Sequence, residues 1–181
     1  MKMIKKILFW IFSIPFLLVA SIRNFLYNIG VIKSHQFNIP IISIGNLVLG
    51  GSGKTPSIEY LVRLLSNNYK VAVLSRGYGR KSTGFILADS NSDAGIIGDE
   101  SMQYYRKFKN IIVSVDSNRV RGINKLIKLN SKPEIVLLDD AYQHRRVKPG
   151  MSILLTKFND LYSEDNIFPL GNLRESKRNA K

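Results

Sequence analysis

The first thirty residues, MKMIKKILFWIFSIPFLLVASIRNFLYNIG, divide into a basic start and a long apolar run. Lys2, Lys5 and Lys6 precede sixteen uncharged residues, Ile7 to Ile22, and Arg23 closes the run. A spanning helix needs ~20 apolar residues, so the run is short for that purpose. Apolar residues resume at Phe25, Leu26, Tyr27 and Ile29 and extend the pattern. Three readings fit: a secretory signal ending at the small pair Ala20-Ser21; a membrane anchor or interfacial helix with Trp10 and the lysines at headgroup level; or a buried core helix. A nucleotide loop further on belongs in the cytosol, which favours membrane attachment with the rest of the chain cytoplasmic. Basic residues flank both ends of the run, so they assign no topology.

Downstream, short β-branched runs alternate with helical periodicity. Asn38 to Gly45 reads as a buried strand, with Pro40 tolerable only at its start. Thr55 to Leu65 reads as a helix with Ile58, Leu61, Val62 and Leu65 on one face, and Pro56 fits its first turn. Val71 to Ser75 is a second strand and Gly84 to Ala88 a short one. Asp89 to Gly98 is loop-like, Asp99 to Phe108 helical, and Ile111 to Val115 a strand. Ser117 to Leu129 is a basic helix. Glu134 to Asp139 and Ser152 to Thr156 are further strands. Such alternation predicts a parallel α/β sheet flanked by helices, of the P-loop NTPase kind. The tail from Asp160 carries almost no apolar pattern, and no repeat appears. The expected division is an N-terminal membrane-associated helix over 1–32 and one core domain over 33–181.

Chemistry is concentrated at IGNLVLGGSGKTP, between the first strand and the first core helix. Glycine-rich backbone there would aim N–H groups at phosphate oxygens, reinforced by the helix N-terminus. Val48, Leu49, Gly50, Gly51, Ser52, Gly53, Lys54 and Thr55 form the candidate loop. Lys54 would reach the outer phosphates and Thr55 would hold Mg²⁺. The generic motif has glycine where this chain has Val48. The alternative is a flexible turn that happens to contain Gly-Lys-Thr. A second signal counts against it: EIVLLDD is an apolar strand ending in Asp139-Asp140, the arrangement that sets a carboxylate beside Mg²⁺. Thr156-Lys157-Phe158-Asn159-Asp160 misses the guanine-reading spacing by one residue, so ATP is the expected nucleotide.

Other clusters are less specific. Asp99 and Glu100 follow a flexible loop; a carboxylate there suits a proton acceptor, or simply an acidic helix start. Gln143 and His144 follow the acidic pair, with Arg145 and Arg146 beside them. Arg119 and Arg121 are two residues apart and so cannot share a helix face.

Composition narrows the field. Cysteine is absent, which excludes disulfides, thiolate metal sites and cysteine nucleophiles. The two histidines make a His-rich metal site improbable. Twenty-seven basic against thirteen acidic residues give +14, which favours an anionic partner. Neither basic cluster is interleaved with aromatics as a nucleic-acid platform would be.

Taken in order, IGNLVLGGSGKTP, LSRGYGRK, GDE, VDSNRVRG, LLDDAYQHRR and FPLGNLRES closely resemble the tetraacyldisaccharide 4′-kinase family, the lipid A 4′-kinases. DDAYQHRR and LRE carry more of that resemblance than the glycine loop. The resemblance implies transfer of the γ-phosphate of ATP, with Mg²⁺, to the 4′-hydroxyl of a lipid A disaccharide precursor. It places the enzyme at the cytoplasmic face of the inner membrane; neither nucleic acid nor an obligate protein partner is expected. By motif, Lys54 and Thr55 bind phosphate and Mg²⁺, and Asp99 is the catalytic base. Glu100, Asp139 and Asp140 join the metal and catalytic cluster. Arg76, Arg119 and Arg174 become phosphate or lipid contacts, beside Gln143 and His144 as substrate-binding candidates. Members of that family lack glycine at the Val48 position and usually carry a hydroxyl residue there. They also continue into a second α/β half that supplies a histidine to the catalytic Asp. This chain stops before such a half, so it is expected to hold the core of the chemistry without being an efficient kinase alone. Two readings of other classes remain at this point: a membrane-tethered P-loop regulator, and a basic nucleic-acid binder.

Overall fold

In the computed structural model, residues 2–177 are described, except for the side chains of residues 2–13 and 16. Lys2, Lys5, Lys6 and Trp10, the expected headgroup residues, thus lie outside the described side chains, as does the very end of the basic tail.

Two compact units emerge. One comprises residues 1–34, 46–53 and 154–181; the other comprises 35–45 and 54–153. The first contains α1 (Lys2–Asn28), with Pro15 inside it. Ile14, Leu18, Ile22, Phe25 and Ile29 are all at least half exposed. Their spacing puts them in one stripe along α1 and its C-terminal end. Among the described residues, no helix is long and apolar enough to cross a membrane.

The second unit holds most of the sheet. Its elements in chain order are β1 (Ile41–Asn46, whose last residue belongs to the other unit), α2 (Lys54–Leu65), β2 (Val71–Ser75), β3 (Ile86–Leu87), α3 (Ala94–Ile97), α4 (Asp99–Lys107), β4 (Ile112–Val115), α5 (Arg119–Leu126), β5 (Ile135–Leu138) and β6 (Met151–Leu155, whose last two residues belong to the other unit). Strand order is β3-β4-β2-β5-β1-β6. β1 with β5, β5 with β2 and β2 with β4 pair in parallel; β3 is antiparallel to β4. β2 and β5 are buried at every position, as continuous apolar runs covered on both faces require. Ala72, Leu74, Val136 and Leu138 pack with Ile123 and Leu126 of α5. Alternate residues Val71, Val73 and Leu137 face the other way.

Boundaries differ from the sequence expectation by a few residues at most strands, while two larger differences have local causes. The stretch 89–98 is not all loop: Asp93 caps α3 by accepting the Ile96 N–H. The tail is not devoid of buried groups either, since Leu173 and Glu175 are both buried.

Candidate active site

β1 leads into the glycine loop. Asn46 Nδ2 donates to the Gly50 carbonyl at 3.2 Å, closing the turn. Gly50 and Gly53 have φ of +100° and +81°. A Cβ at either would meet nothing within 4 Å, so glycine is required there by backbone angle, not by crowding. Residues downstream hold the other side of the loop. Leu49 N–H donates to Asn172 O, Arg174 N–H donates to Leu47 O, each at 2.8 Å, and Val48 bridges Leu173 in antiparallel fashion. Both side chains of that bridge are buried. Val48 therefore gives the loop its backbone and the interior its side chain, which accounts physically for an apolar residue at this position. Ser52 Oγ is enclosed without a hydrogen-bond partner. Glu175, buried, accepts from Asn24 Nδ2 of α1 at 2.8 Å.

The acidic cluster belongs to the second unit. Lys54 and Thr55 open α2. Lys54 Nζ lies 3.4 Å from Asp140 Oδ1, and the lysine side chain is largely enclosed. Asp140 has φ of +45°, a left-handed turn that Asp tolerates better than most residues. The next residue fixes this turn, because Ala141 N–H donates to the Ile44 carbonyl of β1. Asp139 is 1% exposed. Its Oδ2 accepts from the Tyr104 hydroxyl at 3.0 Å, and its Oδ1 is enclosed without a hydrogen-bond partner. Burial pushes the Asp139 carboxyl up to about 6, with the Glu100 and Asp140 charges adding to it; the Tyr104 hydrogen bond and Lys54 oppose. Tyr104 is fully buried in α4. Burial, then the Asp139 charge, pushes its phenol above the usual range, against a hydrogen bond from Thr55.

Asp99 and Glu100 start α4, directly after Gly98. Gly98 has φ of +83°, and a Cβ on it would lie 2.6 Å from the Tyr78 carbonyl. Only glycine lets the 76–80 loop approach this closely. Ser75 and Ser101 hydroxyls share a 2.6 Å hydrogen bond that ties the end of β2 to α4. Glu100 thus stands near enough to bear on Asp139 and Tyr104. Asp99 is exposed and opens on a cleft of about 440 Å³ with Met102, Gln103, Arg106 and Lys107.

The two arginines of α5 diverge, as their spacing requires. Arg119 is buried and donates to the Asp116 and Asp139 carbonyls. Burial lowers its guanidinium to about 10, against the pull of Asp139 and Asp140. Arg121 points outward and forks onto Asp116 through Nε and Nη2, both at 2.8 Å. Burial raises the Asp116 carboxyl, but those bonds and the Asn118 N–H outweigh it, so it lies below its ordinary value. Arg76 is exposed and its charge is felt by Arg119. Arg119 and His144 share a cleft of about 300 Å³ with Ser117, Asn118 and Arg146. Gln143 is half-buried in the preceding turn. Arg174 belongs to the first unit, where its backbone meets the glycine loop.

The second unit therefore brings Lys54, Thr55, Glu100, Asp139 and Asp140 together. Among the described residues, no three His, Cys, Asp or Glu side chains group as a metal site by themselves. Sequence reading passed over Tyr104 and Asp116. Tyr104 follows Glu100 by four residues and so shares its helix face; that spacing was the available signal. Asp116 offered one too, as an acid at the end of a buried strand.

A family model described as tetraacyldisaccharide-1-P 4′-kinase matches residues 5–181. Tetraacyldisaccharide 4′-kinase of Flavobacterium johnsoniae is 57% identical over 180 residues, covering 99% of this chain and 53% of that protein. The one from Flavobacterium psychrophilum is 58% identical over 181 residues, covering 100% and 52%. The chain spans about half the length of the curated relatives it matches. A crystal structure of "apo" form LpxK from Aquifex aeolicus in complex with ATP superposes with a TM-score of 0.84 at 36% identity, covering 93% of this chain and 53% of that one.

Proposed function

The chain belongs to the tetraacyldisaccharide-1-P 4′-kinase family, and we propose that it forms the nucleotide-binding part of a kinase that moves the γ-phosphate of ATP to the 4′-hydroxyl of a tetraacyldisaccharide 1-phosphate. The observation that carries this reading is the meeting of the start of α2 with the end of β5. There Lys54 reaches Asp140, and Thr55 and Asp139 share Tyr104. ATP held in the LpxK structure of similar fold supports the same choice of nucleotide.

The roles follow from chemistry. Residues 48–53 cradle phosphate oxygens with backbone N–H groups, and Lys54 neutralises the outer phosphates. Asp139 Oδ1, buried and without a partner, suits a hard cation. Mg²⁺ is typically held by one or two carboxylates together with substrate phosphates. Thr55, Asp139 and Asp140 would hold it, and it would offset charge on the phosphates in transit. Asp99 accepts the proton as the acceptor oxygen bonds to phosphorus and the bond to ADP breaks, with Glu100 beside it. Arg76, Arg119, Gln143, His144 and Arg174 are assigned to the acceptor and its phosphate.

Residues 1–32 serve as the membrane-associated element and 33–181 as the core. The exposed stripe Ile14, Leu18, Ile22, Phe25 and Ile29 supports a helix resting in the interface at the cytoplasmic face of the inner membrane. A net charge of +14 suits both an anionic leaflet and an anionic acceptor.

The test is transfer of label from γ-³²P-ATP to a purified lipid A disaccharide precursor by the full-length protein. Lipid phosphorylation that Lys54→Ala and Asp99→Ala each abolish is expected, with nucleotide binding kept in Asp99→Ala. Phosphate release that proceeds equally without acceptor would instead favour a nucleotide-hydrolysing regulator.

A further inference from the structure

Tyr104 has no role in the scheme above, yet its hydroxyl lies between two of that scheme's principal groups. The ring is fully buried in α4. Its hydroxyl donates to Asp139 Oδ2 at 3.0 Å, and Thr55 hydrogen-bonds to the same phenol oxygen. A phenol has one proton to give. With that proton on Asp139, the Thr55 bond must run from the threonine hydroxyl to the tyrosine oxygen. The result is a directed relay: Thr55 to Tyr104 to Asp139.

Direction matters for a cation site. A hydroxyl that ligates a metal must offer a lone pair and send its proton elsewhere. Tyr104 gives the Thr55 proton a destination, which leaves the threonine lone pairs available. It also engages one carboxylate oxygen of Asp139 and leaves Oδ1, enclosed without a hydrogen-bond partner, as the available one. Both constraints come from one rigid side chain on a helix, not from a mobile loop.

We propose that Tyr104 is a positioning residue that orients Thr55 and Asp139 together as ligands for a single divalent cation. The inference rests on the assignment of a metal-nucleotide site made above. It makes the two ligands interdependent through a group that touches neither nucleotide nor metal.

Tyr104→Phe in the full-length protein tests it, since the ring stays and only the hydroxyl goes. Mn²⁺ titrated by electron paramagnetic resonance in the presence of a non-hydrolysable ATP analogue reads the cation site directly. The expected result is a roughly 10-fold weaker Mn²⁺ affinity, as for loss of an outer-shell partner. Binding of the analogue in EDTA should be unchanged, and excess Mg²⁺ should restore the transfer rate. Tyr104→Leu serves the same purpose should the phenylalanine chain fail to fold. Mn²⁺ affinity equal to wild type overturns the proposal. So does an equal loss of metal-free nucleotide binding, which marks a structural role. A wild-type protein that binds neither analogue nor Mn²⁺ overturns the nucleotide reading itself, and this proposal with it.

Discussion

Asp116 and Asp139 occupy equivalent places. Each follows directly on the C-terminal end of a strand, β4 and β5, and each is almost wholly buried. Their surroundings differ completely. Asp116 accepts from both Nε and Nη2 of Arg121 and from the Asn118 N–H, and its carboxyl is held below the ordinary value. Asp139 accepts one hydroxyl, faces other carboxylates, and is pushed up to about 6. Burial is common to both, so burial does not mark a site. What separates them is whether the charge is satisfied within the chain. A fully met acid builds structure, while one held short of partners is poised for something that arrives from outside.

The widest gap should appear in activity. Asp139→Asn keeps the shape and the Tyr104 contact but removes the charge, and should lower phosphate transfer by about 10²–10³-fold, as for loss of one preorganised electrostatic group. Stability should move the other way: removing an underpaired buried charge should raise the melting temperature by roughly 3 °C, about 1 kcal/mol at this size. A stable but fully active variant would end the functional half of the comparison. Asp116→Asn tests the other half. Loss of its charge-assisted hydrogen bonds should destabilise the fold by about 2–3 kcal/mol in denaturant melts, with activity per folded molecule little changed.

Acid titration of stability distinguishes the two by sign. The lowered Asp116 contributes stability above its ordinary value, lost as pH falls through its folded value. The raised Asp139 contributes stability that is complete below its ordinary value, about 4, and lost as pH rises through about 6. Melting curves of wild type and Asp139→Asn should therefore separate progressively as pH rises from about 4 to about 6. Parallel curves over that window would mean that Asp139 is better satisfied than its surroundings indicate. The smallest effect belongs to Arg121→Lys. It keeps the charge but loses the fork, and should lower the melting temperature only slightly, less than Asp116→Asn does.

Much of this arrangement was legible in the residues themselves. β5 announced itself as an unbroken β-branched and leucine run, and β2 as an apolar run ending in Ser75, because a strand covered on both faces has no polar side to show. That Lys54 and Thr55 would lie near Asp139-Asp140 was legible because both pairs come shortly after the C-terminal ends of strands in one sheet. Tyr104 was not, since an aromatic residue on an amphipathic helix reads as core; it is core, and only its oxygen distinguishes it. The role of Val48 was equally hidden. Its partner Leu173 lies in a segment that pairs one residue at a time, and single bridges leave no periodicity. The four-residue α3 escaped for a related reason: one capping aspartate, not a repeating pattern, sustains it.

The backbone ladder from Leu47–Leu49 to Asn172–Arg174 has a consequence in time. A chain emerges from the ribosome N-terminus first, so the glycine loop is synthesised well before the strip that braces it. Until Asn172 and Arg174 arrive, Leu49 N–H and Leu47 O have only water for partners. The 47–49 stretch thus gains these backbone partners only after all of residues 54–153, the larger part of the other unit, have been made.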